Sequence, residues 1–367
     1  MFQKIDKKYL LYGGVAFGII GLFLLILLIM LIFTGGKISY ESLENKIRQA
    51  SIKYYEKHDN ELPISDGATV SVSLQKLVSS NNLKKLDKIL DKGVSCKGEV
   101  TVTKNRNNYI YLPYLDCGKD YKTIKLTDKI INRDKVNEVG EGLYKIDDFY
   151  AFKGENVNNY LDFANKLWRI MRINEDGTIR IIANESLEQI SWDNRYNVDK
   201  EYDSGINNYP FSRIKDKMKE IYNNDENFNK YQRSHIVTQN LCVGHRVLDS
   251  TINDGSLECA NNFDEQSLGL IQLNEYMLPS LDENCKKPID RSCNNYNYLA
   301  SFNRAYWTLT GDADTTYLVY YIDGYADLKL ASNNAGINVV LNLNKNLIYE
   351  SGNGTLEKPY KYVQYKK

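Results

Sequence analysis

The longest apolar run of the chain lies near its start, and its length predicts a membrane-spanning helix. The stretch Leu10–Phe33 is almost wholly apolar, and no charged residue occurs between Tyr9 and Gly36. At a rise of about 1.5 Å per residue, such a run spans a hydrocarbon core of about 30 Å. A cleaved signal peptide has an apolar region of only about 7–15 residues and a small-residue cleavage site, which is not found here. We therefore predict a transmembrane signal anchor over residues 10–34.

The charges beside this run predict its orientation. Three lysines and a single aspartate precede it, and a positive flank of this kind stays on the cytoplasmic side. Residues 1–9 are thus expected to form a cytoplasmic tail, and the chain beyond the anchor is expected to be extracellular. The prediction is a single-pass protein of the cell membrane whose residues 10–34 contact the lipid bilayer.

The cysteines agree with this topology. All six follow the apolar run, and disulfides persist outside the cytosol. Six cysteines allow 15 pairings, and joining each cysteine to its neighbour gives three short loops. These predicted disulfides are Cys96–Cys117, Cys242–Cys259 and Cys285–Cys293. A zinc site is not expected, since no C-x-x-C occurs and the three histidines are scattered; no metal or other cofactor is predicted.

Periodicity predicts a small region after the anchor, over residues 37–125. Apolar residues at helical spacing before Pro63 indicate a helix that continues outward from the anchor. Two alternating runs within Glu99–Leu115 indicate a β-hairpin, with Cys96 and Cys117 just outside its strand ends. A membrane helix prolonged into a soluble helix and followed by a disulfide-clamped hairpin resembles the plan of pilin-like surface proteins, although the prepilin processing motif is absent.

A second region is predicted over residues 144–367, after a linker over 126–143 that is polar and without apolar period. It opens with a hairpin within Leu167–Ala183, because two β-rich runs flank the turn sequence Asn174–Gly177. The predicted fold class is therefore α+β: a transmembrane helix, a small helix-and-hairpin domain, and a mixed antiparallel α+β domain.

Three shorter patterns complete this second region. Phe211–Asn224 has the spacing of an amphipathic helix. Ser267–Pro279 indicates a strand that leads into a helix with Asn274 as its N-cap. Thr316–Asp323 is apolar on both faces, which predicts a strand in the interior of a sheet.

Four motifs stand out in the second region. They are LWRIMRINEDGTIRIIA from Leu167, GLIQLNEYM from Gly269, YWTLTG from Tyr306 and the terminal G-x-G-T-x-x-x-P-Y from Gly352. Their order resembles an uncharacterised domain of surface proteins in low-GC Gram-positive bacteria, over about residues 150–365. The resemblance implies a C-type lectin-like fold, which formylglycine-generating enzymes share. A fold does not by itself give a function.

Two groups of residues are candidate ligand contacts. Trp192, Asp193 and Asn194 lie in the polar sequence SWDNRYN, where a tryptophan can stack on a carbohydrate; the order only loosely resembles the calcium triplet of lectins. Asp312 and Asp314 offer oxygen ligands at alternating positions of a turn. No bidentate glutamate follows them, which favours turn chemistry.

Catalytic motifs are not found in the sequence. There is no serine elbow, phosphate loop or H-E-x-x-H. His235 and His245 flank Cys242, but an oxidised Cys242 would exclude a thiol nucleophile. Lys plus Arg equals Asp plus Glu at 47 each, without a run of five like charges, so nucleic acid is not an expected partner.

The leading hypothesis is a membrane-anchored extracellular protein that binds a cell-wall glycan or a surface protein without catalysis. One alternative is a structural, pilin-like component of cell-envelope assembly. A second alternative is an enzyme on a scaffold like that of formylglycine-generating enzymes.

Overall fold

The computed structural model describes residues 39–86, 89–90, 93–134, 136–260, 263–302 and 304–364. The predicted cytoplasmic tail and anchor, residues 1–9 and 10–34, lie outside these ranges. Within the ranges, none of the helices has the length and apolar character needed to cross a bilayer.

The described chain is α+β, with short helices and mostly antiparallel strands. The helices are α1 (Tyr40–Tyr55), α2 (Leu74–Ser79), α3 (Leu126–Asp134), α4 (Arg213–Asn223), α5 (Lys230–His235), α6 (Ser256–Cys259) and α7 (Leu273–Met277). The strands are β1 (Thr69–Ser73), β2 (Lys97–Asn105), β3 (Asn108–Asp116), β4 (Gly142–Ile146), β5 (Phe149–Lys153), β6 (Tyr160–Phe163), β7 (Lys166–Ile173), β8 (Ile179–Ala183), β9 (Gln189–Ser191), β10 (Ile236–Val237), β11 (Gln239–Cys242), β12 (His245–Arg246), β13 (Phe263–Gln266), β14 (Leu268–Gly269), β15 (Tyr306–Asp312), β16 (Leu318–Asp323), β17 (Tyr325–Leu330), β18 (Asn334–Gly336), β19 (Val340–Leu343), β20 (Tyr349–Ser351) and β21 (Lys361–Tyr362).

The first region consists of α1 and α2 packed against a three-stranded sheet of β1, β2 and β3. Helix α1 buries Leu43, Ile47 and Tyr54 at helical spacing. Its N-cap is Ser39, whose backbone is extended and whose Oγ accepts the N–H of Ser42 at 3.2 Å. Helix α1 therefore starts at its own cap, which corrects the expectation of a helix that runs on unbroken from the anchor.

The predicted hairpin of the first region is confirmed. Strands β2 and β3 pair in antiparallel register from Lys97↔Asp116 to Asn105↔Asn108. The Cys96–Cys117 disulfide closes the open end of the hairpin, just outside the two strands. The other two disulfides, Cys242–Cys259 and Cys285–Cys293, are also formed as predicted.

Removing the hairpin disulfide is expected to lower the free energy of unfolding. The double substitution Cys96→Ala/Cys117→Ala opens a loop with a sequence separation of 21, and the unfolded chain then regains entropy worth about 3 kcal/mol. Urea unfolding of the full chain in nanodiscs measures this difference. The variant Cys285→Ala/Cys293→Ala, with a separation of 8, is the comparison and is expected to lose less. An unchanged unfolding midpoint in the first variant would contradict the prediction.

The segment that was expected to be a linker, residues 126–143, begins with helix α3. Leu126 and Ile130 are fully buried in the core of the second region, and the N–H of Leu126 donates to the carbonyl of Leu347 at 2.8 Å. The prediction of a linker was wrong here because two apolar residues one turn apart can anchor a short helix without a longer apolar period.

Two large sheets build the second region. One has the order β10-β19-β8-β7-β5-β4, with β14 also paired to β19 and β6 to β7. The other has the order β17-β16-β15-β18-β9, with β12 also paired to β15. The β7–β8 hairpin turns at Asn174–Gly177, as predicted, with Gly177 at a φ of 81°. Strand β16 lies between two neighbours, which confirms the interior strand that its two apolar faces indicated.

The tip of the first region's hairpin is held against the second region. Arg106 donates to the hydroxyls of Tyr222 and Thr238 at 2.6 and 2.9 Å, and also to that of Ser267. The amide of Asn105 donates to the carbonyl of Ile236 at 3.2 Å. Because Ile236 is the first residue of β10 and Thr238 directly follows that strand, the first region contacts the segment that leads into β11.

Candidate functional site

The tryptophan proposed as a ligand contact is part of the core. Trp192 is fully buried, and its indole Nε1 donates to the carbonyl of Thr308 at 3.1 Å. The ring of Tyr209 meets it edge-on at 6.0 Å between centroids. A buried indole cannot stack on a ligand, so Trp192 has the structural role that Trp168 and Trp307 also have.

The neighbours of Trp192 use their oxygens within the fold. Asp193 is buried and accepts Arg195 Nε at 3.0 Å and the backbone N–H of Arg213, the first residue of α4, at 3.0 Å. Burial raises the pKa of Asp193, but the hydrogen bonds from Arg195 and Arg213 outweigh burial and hold this pKa below its ordinary value. Asn194 is exposed and accepts from the guanidinium of Arg213. These contacts hold the start of α4 in place, so Asp193 and Asn194 have a structural role and do not form a ligand site.

The two turn aspartates, Asp312 and Asp314, are not joined to Asp193 and Asn194. Asp312 is buried at the end of β15, in register with Arg246 of the parallel strand β12, whereas Asp314 is exposed. No hydrogen bond or ion pair joins either one to Asp193 or Asn194 among the described residues. Across all the residues that the structure describes, no group of three or more His, Cys, Asp or Glu side chains is placed to hold a metal ion.

The structure instead assembles a cleft of about 600 Å³ in the second region. Its walls come from the β7–β8 turn, the segment through β10 and β11, and residues in and just before α6 and α7. Six amide side chains line it: Asn174, Gln239, Asn240, Gln272, Asn274 and Asn342. Phe149 also lines the cleft, with the Arg172 guanidinium 5.6 Å from the ring centroid. We call this the amide cleft.

A buried carboxylate lies beneath the amide cleft. Glu275 is 2 % exposed and accepts Arg180 Nη2 at 2.8 Å, while Arg172 Nη2 is 3.4 Å from its other oxygen. Burial raises the pKa of Glu275, but the charges of Arg180 and Arg172 outweigh burial and hold this pKa below its ordinary value. Glu275 is therefore ionised at neutral pH and paired with two guanidinium groups.

The same arginines orient the amides of the cleft. Arg172 Nε donates to Asn174 Oδ1 at 2.7 Å. Arg180 Nη1 donates to Gln239 Oε1, and to Asn342 Oδ1 at 3.3 Å. Each arginine thus joins the buried carboxylate to an amide in the wall, and the amides are held in fixed orientations.

Two amide atoms in the wall have unmet hydrogen-bonding capacity. Gln239 Nε2 and Asn274 Oδ1 are buried without a hydrogen-bond partner among the described residues. Leaving a buried polar atom unpaired destabilises the fold by about 1–3 kcal/mol. One donor and one acceptor of this kind suit a ligand that carries hydroxyl groups.

Helix α7 places Glu275 at the floor of the cleft. The sequence predicted Asn274 as its N-cap, but the cap is Gln272, whose backbone N–H donates to Glu275 Oε2 at 3.1 Å. The amide Nε2 of Gln272 donates to the carbonyl of Cys242 at 3.0 Å. Because Cys242 is bonded to Cys259, the disulfide and this amide fasten α7 to the wall of the cleft, and no Cys242 thiol is available as a nucleophile.

Sequence reasoning did not find this site, although one signal was present. Arg172 and Arg180 stand directly opposite each other in the β7–β8 register, and like charges in such a pair repel each other. Two arginines facing each other in strands that contain no carboxylate therefore require one from elsewhere in the chain. Glu275 supplies it from the NEYM motif, 95 residues from Arg180.

The chemistry that the amide cleft offers is hydrogen bonding from rigidly held donors and acceptors beside one aromatic ring. The orienting charges lie beneath its surface and are paired with each other. Comparison of the chain with known protein families, with curated proteins and with solved structures finds no match.

Proposed function

We propose that this protein binds a glycan in the amide cleft, without converting it, on the outer face of a cell membrane to which residues 10–34 anchor it. The six amide side chains of one cleft, three of them held by a buried ion network, support this most directly. An amide both donates and accepts hydrogen bonds, which matches the hydroxyl groups of a sugar ring. Phe149 adds an apolar surface for the C–H face of such a ring.

Other features support the extracellular position and the fold of this proposal. Three disulfides join all six cysteines, as is usual outside the cytosol. The four sequence motifs support a C-type lectin-like fold for residues 144–367. Glu275 is paired with two arginines, which suits an orienting role and not proton transfer.

Removing a cleft amide is expected to weaken glycan binding about tenfold. The change Gln239→Ala deletes the unpaired donor Nε2 and the Arg180 contact, and the loss of one hydrogen bond of about 1.4 kcal/mol corresponds to this factor. The full chain in nanodiscs would be screened on an array of cell-wall glycan fragments, and the retained fragments would be titrated by calorimetry.

The matched control is Asn194→Ala, which removes an exposed amide outside the cleft. This control is expected to bind as the unchanged protein does. Failure of every glycan to bind would refute the proposed function, and equal weakening by the two substitutions would place the ligand elsewhere.

A further inference from the structure

The charged groups of the amide cleft are unequal in number and accessibility. Arg172 and Arg180 line it together with Glu175, Asp176 and Asp254, and Glu275 lies beneath. Two positive charges against four negative charges leave a balance of −2. The cleft is thus electronegative although the chain as a whole is neutral.

The positive charges are already engaged. The side chain of Arg180 is 4 % exposed and that of Arg172 is 28 % exposed, and both pair with Glu275. Their remaining hydrogen bonds go to amides of the wall. An anionic sugar that entered the cleft would therefore meet guanidinium groups that are already paired with Glu275, and the remaining carboxylates would repel it.

The negative charges are at the surface, on separate walls. Glu175 and Asp176 are exposed in the β7–β8 turn, and Asp254 is exposed at the approach to α6. Asp254 Oδ1 accepts the N–H of Ser256 at 2.9 Å, and hydrogen bonds from Ser256 lower the pKa of Asp254. No hydrogen bond or ion pair engages the carboxylate of Glu175 among the described residues, so this group is free to meet a cation.

We propose that the ligand of the amide cleft is an amino-sugar glycan, in which some residues carry free ammonium groups. This inference rests on the proposed function and adds the chemical class of the ligand. The ring hydroxyls meet the cleft-lining side chains of Gln239 and Asn274, whose hydrogen-bonding capacity is not fully used within the fold, and an ammonium group meets Glu175. A hydrogen bond between an ammonium and a carboxylate is charge-assisted and roughly twice as strong as a neutral one.

The test compares three oligosaccharides of equal length on the full chain in nanodiscs. They are a glucosamine hexamer, its fully N-acetylated form and a uronic acid hexamer, titrated at low and high salt. We expect the amine form to bind about tenfold more tightly than the acetylated form at low salt. The preference should shrink at high salt, because screening weakens exposed ion pairs, and the uronic acid form should bind most weakly.

The substitution Glu175→Gln tests whether the carboxylate of Glu175 causes the preference for the amine form. It should reduce the preference for the amine form about threefold. The exposed carboxylate change Glu226→Gln, outside the cleft, should alter neither this preference nor the binding of the acetylated form. Equal binding of the amine and acetylated forms would overturn this inference and leave the proposed function intact. Binding of no sugar would refute the proposed function itself, and tighter binding of an oligolysine peptide, lost in Glu175→Gln, would replace the glycan by a basic peptide.

Discussion

Lowering the pH from 7 to 3 is expected to destabilise the folded protein by about 4 kcal/mol through His235 alone. The imidazole is fully buried, and neither ring nitrogen has a hydrogen-bond partner among the described residues. Burial, assisted by the positive charge of Arg48, lowers the pKa of His235 to about 3. A histidine in the unfolded chain has a pKa of about 6.5, and one pKa unit corresponds to about 1.4 kcal/mol.

The direction of this effect follows from proton linkage. The unfolded chain binds the proton more tightly than the folded chain, so the stabilisation is complete above pH 6.5 and is lost as the pH falls toward 3. Between pH 6.5 and pH 5 alone, the loss is about 2 kcal/mol. The rings of Tyr231 and Tyr362 enclose the imidazole at 4.6 and 5.5 Å between centroids.

Urea unfolding of the full chain at pH 7, 6 and 5 measures the effect. The variant His235→Phe keeps an aromatic ring in the site without a titrating group. Between pH 7 and pH 5, its free energy of unfolding should change by about 2 kcal/mol less than that of the unchanged protein. Carboxylates with lowered pKa values, such as that of Glu275, titrate in both proteins and cancel in the comparison. Parallel stability profiles for the two proteins would show that His235 is not the group.

Replacing Glu275 by glutamine is expected to lower the free energy of unfolding by about 3–5 kcal/mol. Breaking a buried ion pair by removing one partner leaves the other charge uncompensated. Here the charge left behind is that of Arg180, whose side chain is 4 % exposed and whose Nε and Nη2 both face Glu275. Glutamine has nearly the same shape as glutamate, so the loss reports the charge and not a cavity.

The matched control is Glu175→Gln, the same chemical change on an exposed side chain of the same cleft. Its free energy of unfolding should stay within about 0.5 kcal/mol of the unchanged protein. If Glu275→Gln also left the free energy of unfolding unchanged, the ion pairs of Glu275 with Arg180 and Arg172 would not stabilise the wall of the amide cleft. We also expect Glu275→Gln to weaken glycan binding, because Arg180 and Arg172 would no longer orient Gln239 and Asn174.

Local features of the second region could be predicted from the sequence because their causes are local. Helix α4 buries Ile214, Met218 and Ile221 on the face that its spacing indicates. The β7–β8 hairpin forms at its turn sequence, and neighbouring cysteines pair because short loops bring them together. In each example, the determining residues lie within about twenty positions of one another.

The candidate site could not be predicted in the same way because its parts are distant in the sequence. Trp192 lies in a polar stretch, yet its burial is decided by strand β15, whose Thr308 carbonyl accepts its N–H. Asn274 was the better N-cap by residue type, but Arg180 and Arg172 hold Glu275 where it bonds the N–H of Gln272. Long-range charge pairing thus decided both the cap and the place of the cleft.

The contact between Arg106 and Thr238 has a mechanical consequence. Thr238 is followed directly by Gln239, so the hairpin tip holds the backbone one residue away from a wall amide of the proposed glycan site. The open end of the same hairpin is closed by a covalent bond between Cys96 and Cys117. Under the proposed function, a load on the ligand would reach the paired strands β2 and β3 through this contact.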